Sequence, residues 1–177
     1  MSKQLVIILE GTNKSGKSTL ADYINDNFPE KNFEMIKCSQ PAIVDGINTA
    51  LNEYHSILDT IENNPDINFI IDRFHYGSYV YGPIYRGVED FGLEKFVDLE
   101  ERIMKLNYIF ILAIADKKFI KEKFISEKEE FAKLDKIDEE IALFKKTAKM
   151  SRININLHSI PKKDITTKLI NLIEMYD

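Results

Sequence analysis

The stretch Gly11-Thr12-Asn13-Lys14-Ser15-Gly16-Lys17-Ser18 constrains this chain more than any other. It satisfies G-x-x-x-x-G-K-[ST], the pattern of a phosphate-binding loop (P-loop). Gly11 and Gly16 permit backbone conformations and close approaches that a Cβ would block. The loop amides then turn inward as a nest for phosphate oxygens, and the helix that follows presents its N-terminus to the same charge. In such a loop Lys17 reaches the β- and γ-phosphates of a nucleoside triphosphate, and the Ser18 hydroxyl can ligate Mg²⁺. The context agrees with the pattern. An apolar run, Leu5–Leu9, leads straight in, and a helical pattern beginning at Lys17 leads straight out. Residues Gly11 to Thr19 are therefore expected to hold ATP, with Mg²⁺ at Ser18.

Other apolar runs repeat this alternation. Phe33–Lys37, Phe69–Ile71, Tyr108–Ala115 and Ile153–Leu157 are short and almost uniformly apolar, as parallel strands covered on both faces are. Between them, Lys17–Asn27, Ala42–Glu62, Phe91–Leu106, Asp138–Met150 and Asp164–Met175 carry apolar residues at helical spacing. Strand–helix alternation predicts right-handed βαβ units and an α/β, three-layer fold. With 177 residues and 44% of them hydrophobic, the chain has material for one domain with a proper core, residues 1–177, and no linker interrupts it. The charged stretch Lys117–Lys136 is where a lid would sit; a solvated helix face laced with ion pairs is the alternative.

Composition narrows the function classes. A formal net charge of -5 and a sequence pI near 5.3 argue against sequence-independent nucleic-acid binding. The single cysteine, Cys38, cannot close an internal disulfide, which fits a reducing, cytoplasmic setting. No run approaches the ~18 apolar residues of a membrane span, so no membrane partner is expected. Arg is scarce, with only Arg73, Arg86, Arg102 and Arg152, so each marks a place where a planar bidentate cation could be needed.

Asp72-Arg73 closes the apolar run Phe69–Ile71 and so falls at the carboxyl end of a strand, the edge where open α/β sheets bind ligands. A carboxylate there can serve Mg²⁺ or accept a proton, and an Arg can clamp a phosphoryl group. The segment that follows, Phe74 to Gly87, holds four of the eight Tyr and three of the seven Gly, and Arg86 stands near its end. Stacking rings beside a cation would suit a nucleotide; packing beneath the sheet is the other use of the same residues. His75 reads as a loop histidine, and no His spacing suggests a zinc site.

These residues resemble the thymidylate kinases. Glu10-Gly11-Thr12-Asn13-Lys14-Ser15-Gly16-Lys17-Ser18-Thr19 looks like that family's P-loop, and Asp72-Arg73-Phe74 like its Asp-Arg-Tyr motif. Ser78 and Tyr81 fall at offsets where the family carries Ser and Tyr. Tyr81-Gly82-Pro83 with Arg86 is similar to the short forms of phages and some bacteria. The likeness is specific at residues 5–20 and 72–86. It implies a five-stranded parallel sheet with helices on both faces, ATP and Mg²⁺ as donor system, and a deoxynucleoside monophosphate, dTMP first, as acceptor. It further implies that Arg73 grips the acceptor phosphate, Asp72 serves the magnesium, Lys14 and Lys17 face the transferred group, and Glu10, Asn13, Ser78, Tyr81 and Arg86 meet the substrate. A homodimer is implied as well.

The departures matter. Asn13 replaces a usual acidic residue near the acceptor sugar, and the family's Arg-Glu-Pro is reduced to Ser39-Gln40-Pro41. No Arg lies between Pro41 and Asp72, and the lid stretch offers only lysines, among them Lys121, Lys123, Lys128 and Lys133. Phosphoryl transfer survives these losses; thymine specificity does not follow from them. A deoxynucleoside kinase using Glu10 or Asp72 as proton acceptor stands as the alternative. A non-nucleotide metabolite kinase, a nucleic-acid end kinase and a non-catalytic ATP-binding protein stand behind it. Adenine contacts are expected from the loop Leu157–Pro161, at another strand's carboxyl end.

Overall fold

The computed structural model describes residues 4–38, 46–87, 92–127, 134–158 and 162–176. Ser39–Pro41, Lys128, Lys133 and the end of the loop expected to meet adenine lie outside the described residues.

A parallel sheet in the order β2-β3-β1-β4-β5 forms the middle layer. β1 (Val6–Gly11) is wholly buried at its centre, with β3 (Asn68–Asp72) on one side and β4 (Tyr108–Ala113) on the other. β2 (Phe33–Lys37) extends the sheet beyond β3. Four strands of five or six residues thus carry the sheet, and β5 (Leu157–His158) adds only a two-residue edge against β4. The full-length fifth strand expected over 153–157 is not formed. Asn156 instead uses its side chain, whose Oδ1 accepts from Phe110 N at 2.8 Å, while Asn156 N donates to Phe110 O at 2.9 Å.

Strand alternation divides the core in two. Val6, Ile8, Phe69, Ile71, Phe110 and Leu112 face one layer, in which α2 (Gly46–Asn63), α4 (Leu93–Ile103) and α6 (Ile137–Met150) lay down Tyr54, Leu58, Phe96, Leu99 and Phe144. Leu5, Ile7, Leu9, Ile70, Ile109 and Ile111 face the other, covered by α1 (Lys17–Asn27) and α7 (Lys162–Glu174). Strands with apolar residues on both faces are uniformly apolar for this reason. Most elements lie within a few residues of the positions their periodicity indicates, and α1 and β2 coincide with them.

The stretch after Phe74 is helical: α3 (His75–Tyr81) continues into a π-turn, Gly82–Arg86. His75 therefore opens a helix and is fully buried, whereas the sequence suggested a loop. The charged stretch contains α5 (Lys117–Glu127) and a 3-10 turn, Leu134–Lys136. Among the described residues no helix is long and apolar enough to cross a membrane.

Candidate functional site

The carboxyl edges of β1 and β3 bring the sequence-predicted residues together. Gly11 ends β1 with φ of +134°, and a Cβ there would sit 1.9 Å from the Ala113 carbonyl oxygen of β4, so only glycine lets the two strands approach. Gly16, at φ +87°, turns the chain into α1. The loop between them curls around a cleft of about 290 Å³ lined by residues 13–19, by Asp72 and Arg73, and by Phe119 and Lys123 of α5.

Lys17 is 5% exposed, and its Nζ donates to the carbonyls of Gly11 at 2.9 Å and Thr12 at 2.7 Å. Burial pulls its pKa from 10.5 down to about 7, the positive charge of Arg73 pulls the same way, and Asp72, Glu10 and Glu140 oppose them. Ser18 Oγ donates to Asp72 Oδ2 at 3.2 Å. Asp72 Oδ1 is buried and has no hydrogen-bond partner among the described residues. A hydroxyl and a carboxylate with a spare oxygen, side by side at the loop, are hard oxygen donors that suit Mg²⁺. Among the described residues no group of three His, Cys, Asp or Glu could hold a metal, so phosphate and water would complete the shell.

Arg73 follows in the left-handed region, φ +69°. This turn, uncommon for a non-glycine residue, carries its guanidinium onto Asn13 Oδ1, to which Nη2 donates at 2.6 Å, and over the Tyr81 ring, 5.2 Å from the centroid.

The cleft walls given above do not include Glu10, Ser78 or Arg86. Glu10 is fully buried behind α3, where its Oε1 accepts from Phe74 N at 2.7 Å and Gly77 N at 3.1 Å, satisfying donors at the helix start. Burial raises its pKa, against the opposing effects of His75, the two backbone donors and Lys17. The Ser78 hydroxyl pairs with the Tyr54 hydroxyl at 2.5 Å. Arg86, half-buried at the end of the π-turn, is held below its ordinary pKa by burial, with the like charge of Arg73 adding to this. Of the four tyrosines in this segment, Tyr76 and Tyr81 are core residues. Among the lid lysines, Lys123 lines the cleft, while Lys121 is exposed and is not among the lining residues.

Glu140, on α6, was not indicated by the sequence. It is 2% exposed, and its Oε1 accepts from Asn13 N at 2.7 Å and lies 2.9 Å from the Tyr81 hydroxyl; its Oε2 accepts from the Tyr85 hydroxyl at 3.0 Å. The Tyr81 hydroxyl also lies 3.1 Å from Gly11 O and shares its one proton between the two acceptors. Burial, followed by the charge of Glu140, pushes the Tyr81 pKa up and keeps the phenol protonated. One carboxylate thus ties the loop, α3 and the π-turn to α6. No local motif surrounds Glu140; the only signal is an acidic residue on the face of a helix that also buries Phe144.

No protein-family model matches the chain, and no curated protein sequence does either. Solved structures share its fold. The YorR protein of Bacillus subtilis, solved with phosphorylated GDP, is similar with a TM-score of 0.75 and 22% identity, over 96% of each chain. A deoxyadenosine kinase from M. mycoides, with dCMP and dCDP bound, gives 0.62 and 13%, over 96% of this chain and 97% of the other. A Candida albicans thymidylate kinase gives 0.57 and 18%, over 98% and 92%. Polyphosphate kinase 2 enzymes share the fold too. The likeness extends beyond a thymidylate kinase to a deoxyadenosine kinase and to polyphosphate kinase 2, and at these identities it shows a shared fold.

Proposed function

We propose that this protein transfers the γ-phosphoryl group of ATP to the phosphate of a deoxynucleoside monophosphate, with dTMP as the leading acceptor. The observation that carries the reading is the placement of Asp72, 3.2 Å from the P-loop Ser18 hydroxyl, with Arg73 turned beside it onto the loop. Such a pair serves two phosphates at once: a carboxylate for the metal side and a guanidinium for the anionic acceptor.

The triphosphate would lie along residues 13–19 at the N-terminus of α1, where the loop amides and Lys17 offset its charge. Ser18 and Asp72 would hold Mg²⁺, which when bound would supply charge neutralisation on the phosphate oxygens. Lys14 and Lys17 meet the phosphoryl group, and Arg73 keeps the acceptor phosphate in line. Phe119 and Lys123 of α5 border the same cleft and exclude water that would otherwise compete as acceptor. An acceptor phosphate is already anionic, so no strong general base is required. Glu10, buried on backbone donors, is free of that duty in this reading.

The preference for dTMP rests on the sequence resemblance together with the fold shared with a thymidylate kinase. A second reading, phosphorylation of a nucleoside 5′-hydroxyl, is favoured by Asp72 Oδ1, which has no hydrogen-bond partner among the described residues and would serve as the proton acceptor. ADP release from ATP–Mg²⁺ in the presence of dTMP, dUMP, the other monophosphates, thymidine, deoxyadenosine and polyphosphate tests both. Turnover with one or a few monophosphates is expected. Turnover with nucleosides alone would transfer the proposal to the second reading, and turnover with polyphosphate alone would overturn both.

A further inference from the structure

A second cavity, of about 630 Å³, lies between the turn from β4 into α5 and one face of α6. It is larger than the P-loop cleft of about 290 Å³, and among the described residues none lines both. Its floor is aliphatic. Leu112 is buried near the end of β4, Ile114 and Ala148 are half-buried against the larger core cluster, and Ile141 is half-buried against the small cluster of Ala115, Ile120 and Ile137. Aliphatic side chains left half-covered around a cavity favour a ligand with an apolar body, because its entry releases the water against them. Among the described residues no aromatic ring lines the cavity, so it offers a nucleobase no stacking platform.

The rim carries charge. Ile141, Lys145, Ala148 and Lys149 recur at helical spacing and so share one face of α6. Lys145 and Lys149 are exposed and stand one turn apart, a like-charge pair that is unfavourable until an anion lies between them. The carboxylates of the first turn of α6 are all committed elsewhere. Asp138 pairs with Lys117, Glu139 accepts from Lys136 at 2.8 Å, and Glu140 holds Asn13 N and the two tyrosines. Asp116, at the cavity mouth, accepts from Lys118 N at 2.6 Å and caps α5. Neither Lys145 nor Lys149 has an ion pair or hydrogen-bond partner among the described residues. In a chain of net charge -5, two adjacent unpaired cations above an aliphatic floor reverse the local sign.

We propose that this cavity is a second ligand site, separate from the P-loop cleft, and that it takes a small amphipathic anion: an aliphatic body on Leu112, Ile114, Ile141 and Ala148, with a carboxylate head between Lys145 and Lys149. Its chemistry is independent of the phosphoryl-transfer reading.

The probe is 8-anilinonaphthalene-1-sulfonate, an apolar body with one anionic head that fluoresces once out of water, titrated into the full chain. One saturable site is expected, with a Kd that saturating ATP–Mg²⁺ leaves within about twofold. Lys145→Glu with Lys149→Glu reverses two exposed charges and should weaken the dye about tenfold or more. Ala148→Phe, which fills the floor, should abolish binding; circular dichroism and melting curves establish that each variant folds. Octanoate should displace the dye. Inorganic phosphate, a head without a body, and octanol, a body without a head, should not do so at the same concentration. Displacement by ATP–Mg²⁺ would place the dye in the P-loop cleft and overturn the second site. Displacement by phosphate or octanol as effective as that by octanoate would overturn the two-part recognition. Unchanged binding in the folded charge-reversed variant, or no saturable binding at all, would overturn the proposal outright. Each of these results leaves the phosphoryl-transfer reading standing, since that reading is tested by ADP release.

Discussion

The two walls of the cleft are made in different ways. The donor wall, residues 11–18, is shaped by its own backbone: glycines at φ +134° and +87°, Lys14 at φ +57°, and a helix start. The acceptor wall is assembled from distant side chains. Glu10 reaches Phe74 and Gly77 across sequence separations of 64 and 67 residues, and Glu140 reaches Tyr81 across 59; across 127 residues Glu140 also accepts from Asn13 N, a tie from outside the loop to the donor wall. A wall whose shape is local tolerates change elsewhere in the chain. A wall held by two buried carboxylates depends on residues that never touch a substrate. The difference teaches where the molecule is fragile: chemistry fails at the donor wall, geometry at the acceptor wall.

The largest expected effect is on the donor side. Lys17→Ala should lower kcat by about 10²–10³-fold, the scale of losing one preorganised charge contact to the transition state. Its folding should be preserved, because the substitution removes a charge whose burial already lowers its pKa. Circular dichroism alongside turnover would check this; a variant that binds ATP weakly but keeps kcat would mark Lys17 as a binding residue only.

On the acceptor side, Glu140→Ala should cost about 3 kcal/mol in urea unfolding, since it leaves the buried Asn13 amide without its acceptor and removes the carboxylate that the Tyr81 and Tyr85 hydroxyls share. Glu10→Gln should cost less than about 1 kcal/mol at neutral pH, because one amide oxygen can still accept from Phe74 and Gly77. Its pH dependence carries a sign. Burial raises the Glu10 pKa, so the folded chain binds more protons than the unfolded one above the ordinary value of 4.5, and this group's stabilising share falls as pH rises through the raised pKa. The variant should therefore gain on the wild type as pH rises. With a monophosphate acceptor its kcat should stay within about threefold of the wild type, whereas a general base would lose about 10²-fold or more.

The smallest effect is a fraction of a proton. Lys17 is held at about 7 in the folded chain against 10.5 ordinarily, so between those values the folded state binds fewer protons and this group's contribution to stability rises with pH. Triphosphate beside it favours the charged form. Calorimetric titration at pH 8 in two buffers of different ionisation enthalpy should show proton uptake on ATP binding, with less at pH 6. No uptake at either pH would place the Lys17 charge outside the triphosphate's reach.

This contrast also decides what could be read from the sequence. The P-loop was legible because its backbone restricts residue types at fixed spacing, and Asp72-Arg73 because a strand's carboxyl end locates it. The sheet's central strands announced themselves by being apolar on both faces. The short β5 did not, since Asn156 bonds both ways to Phe110 and Ile153 is buried outside any strand. The roles of Glu10 and Glu140 were hidden because their partners are set by tertiary contact alone. The tyrosines after Phe74 read either as stacking rings or as packing beneath the sheet; Tyr76 and Tyr81 pack in the core, and Tyr81 adds its hydroxyl to Glu140 and its face to Arg73.

The most direct test of the central claim follows the labelled γ-phosphoryl group of ATP in the presence of Mg²⁺ and dTMP. The account predicts that label appears in a nucleoside diphosphate in equal amount to the ADP formed, and that it disappears from that product in Lys17→Ala. Label recovered only as inorganic phosphate, or retained in bound ATP with every monophosphate supplied, would contradict it.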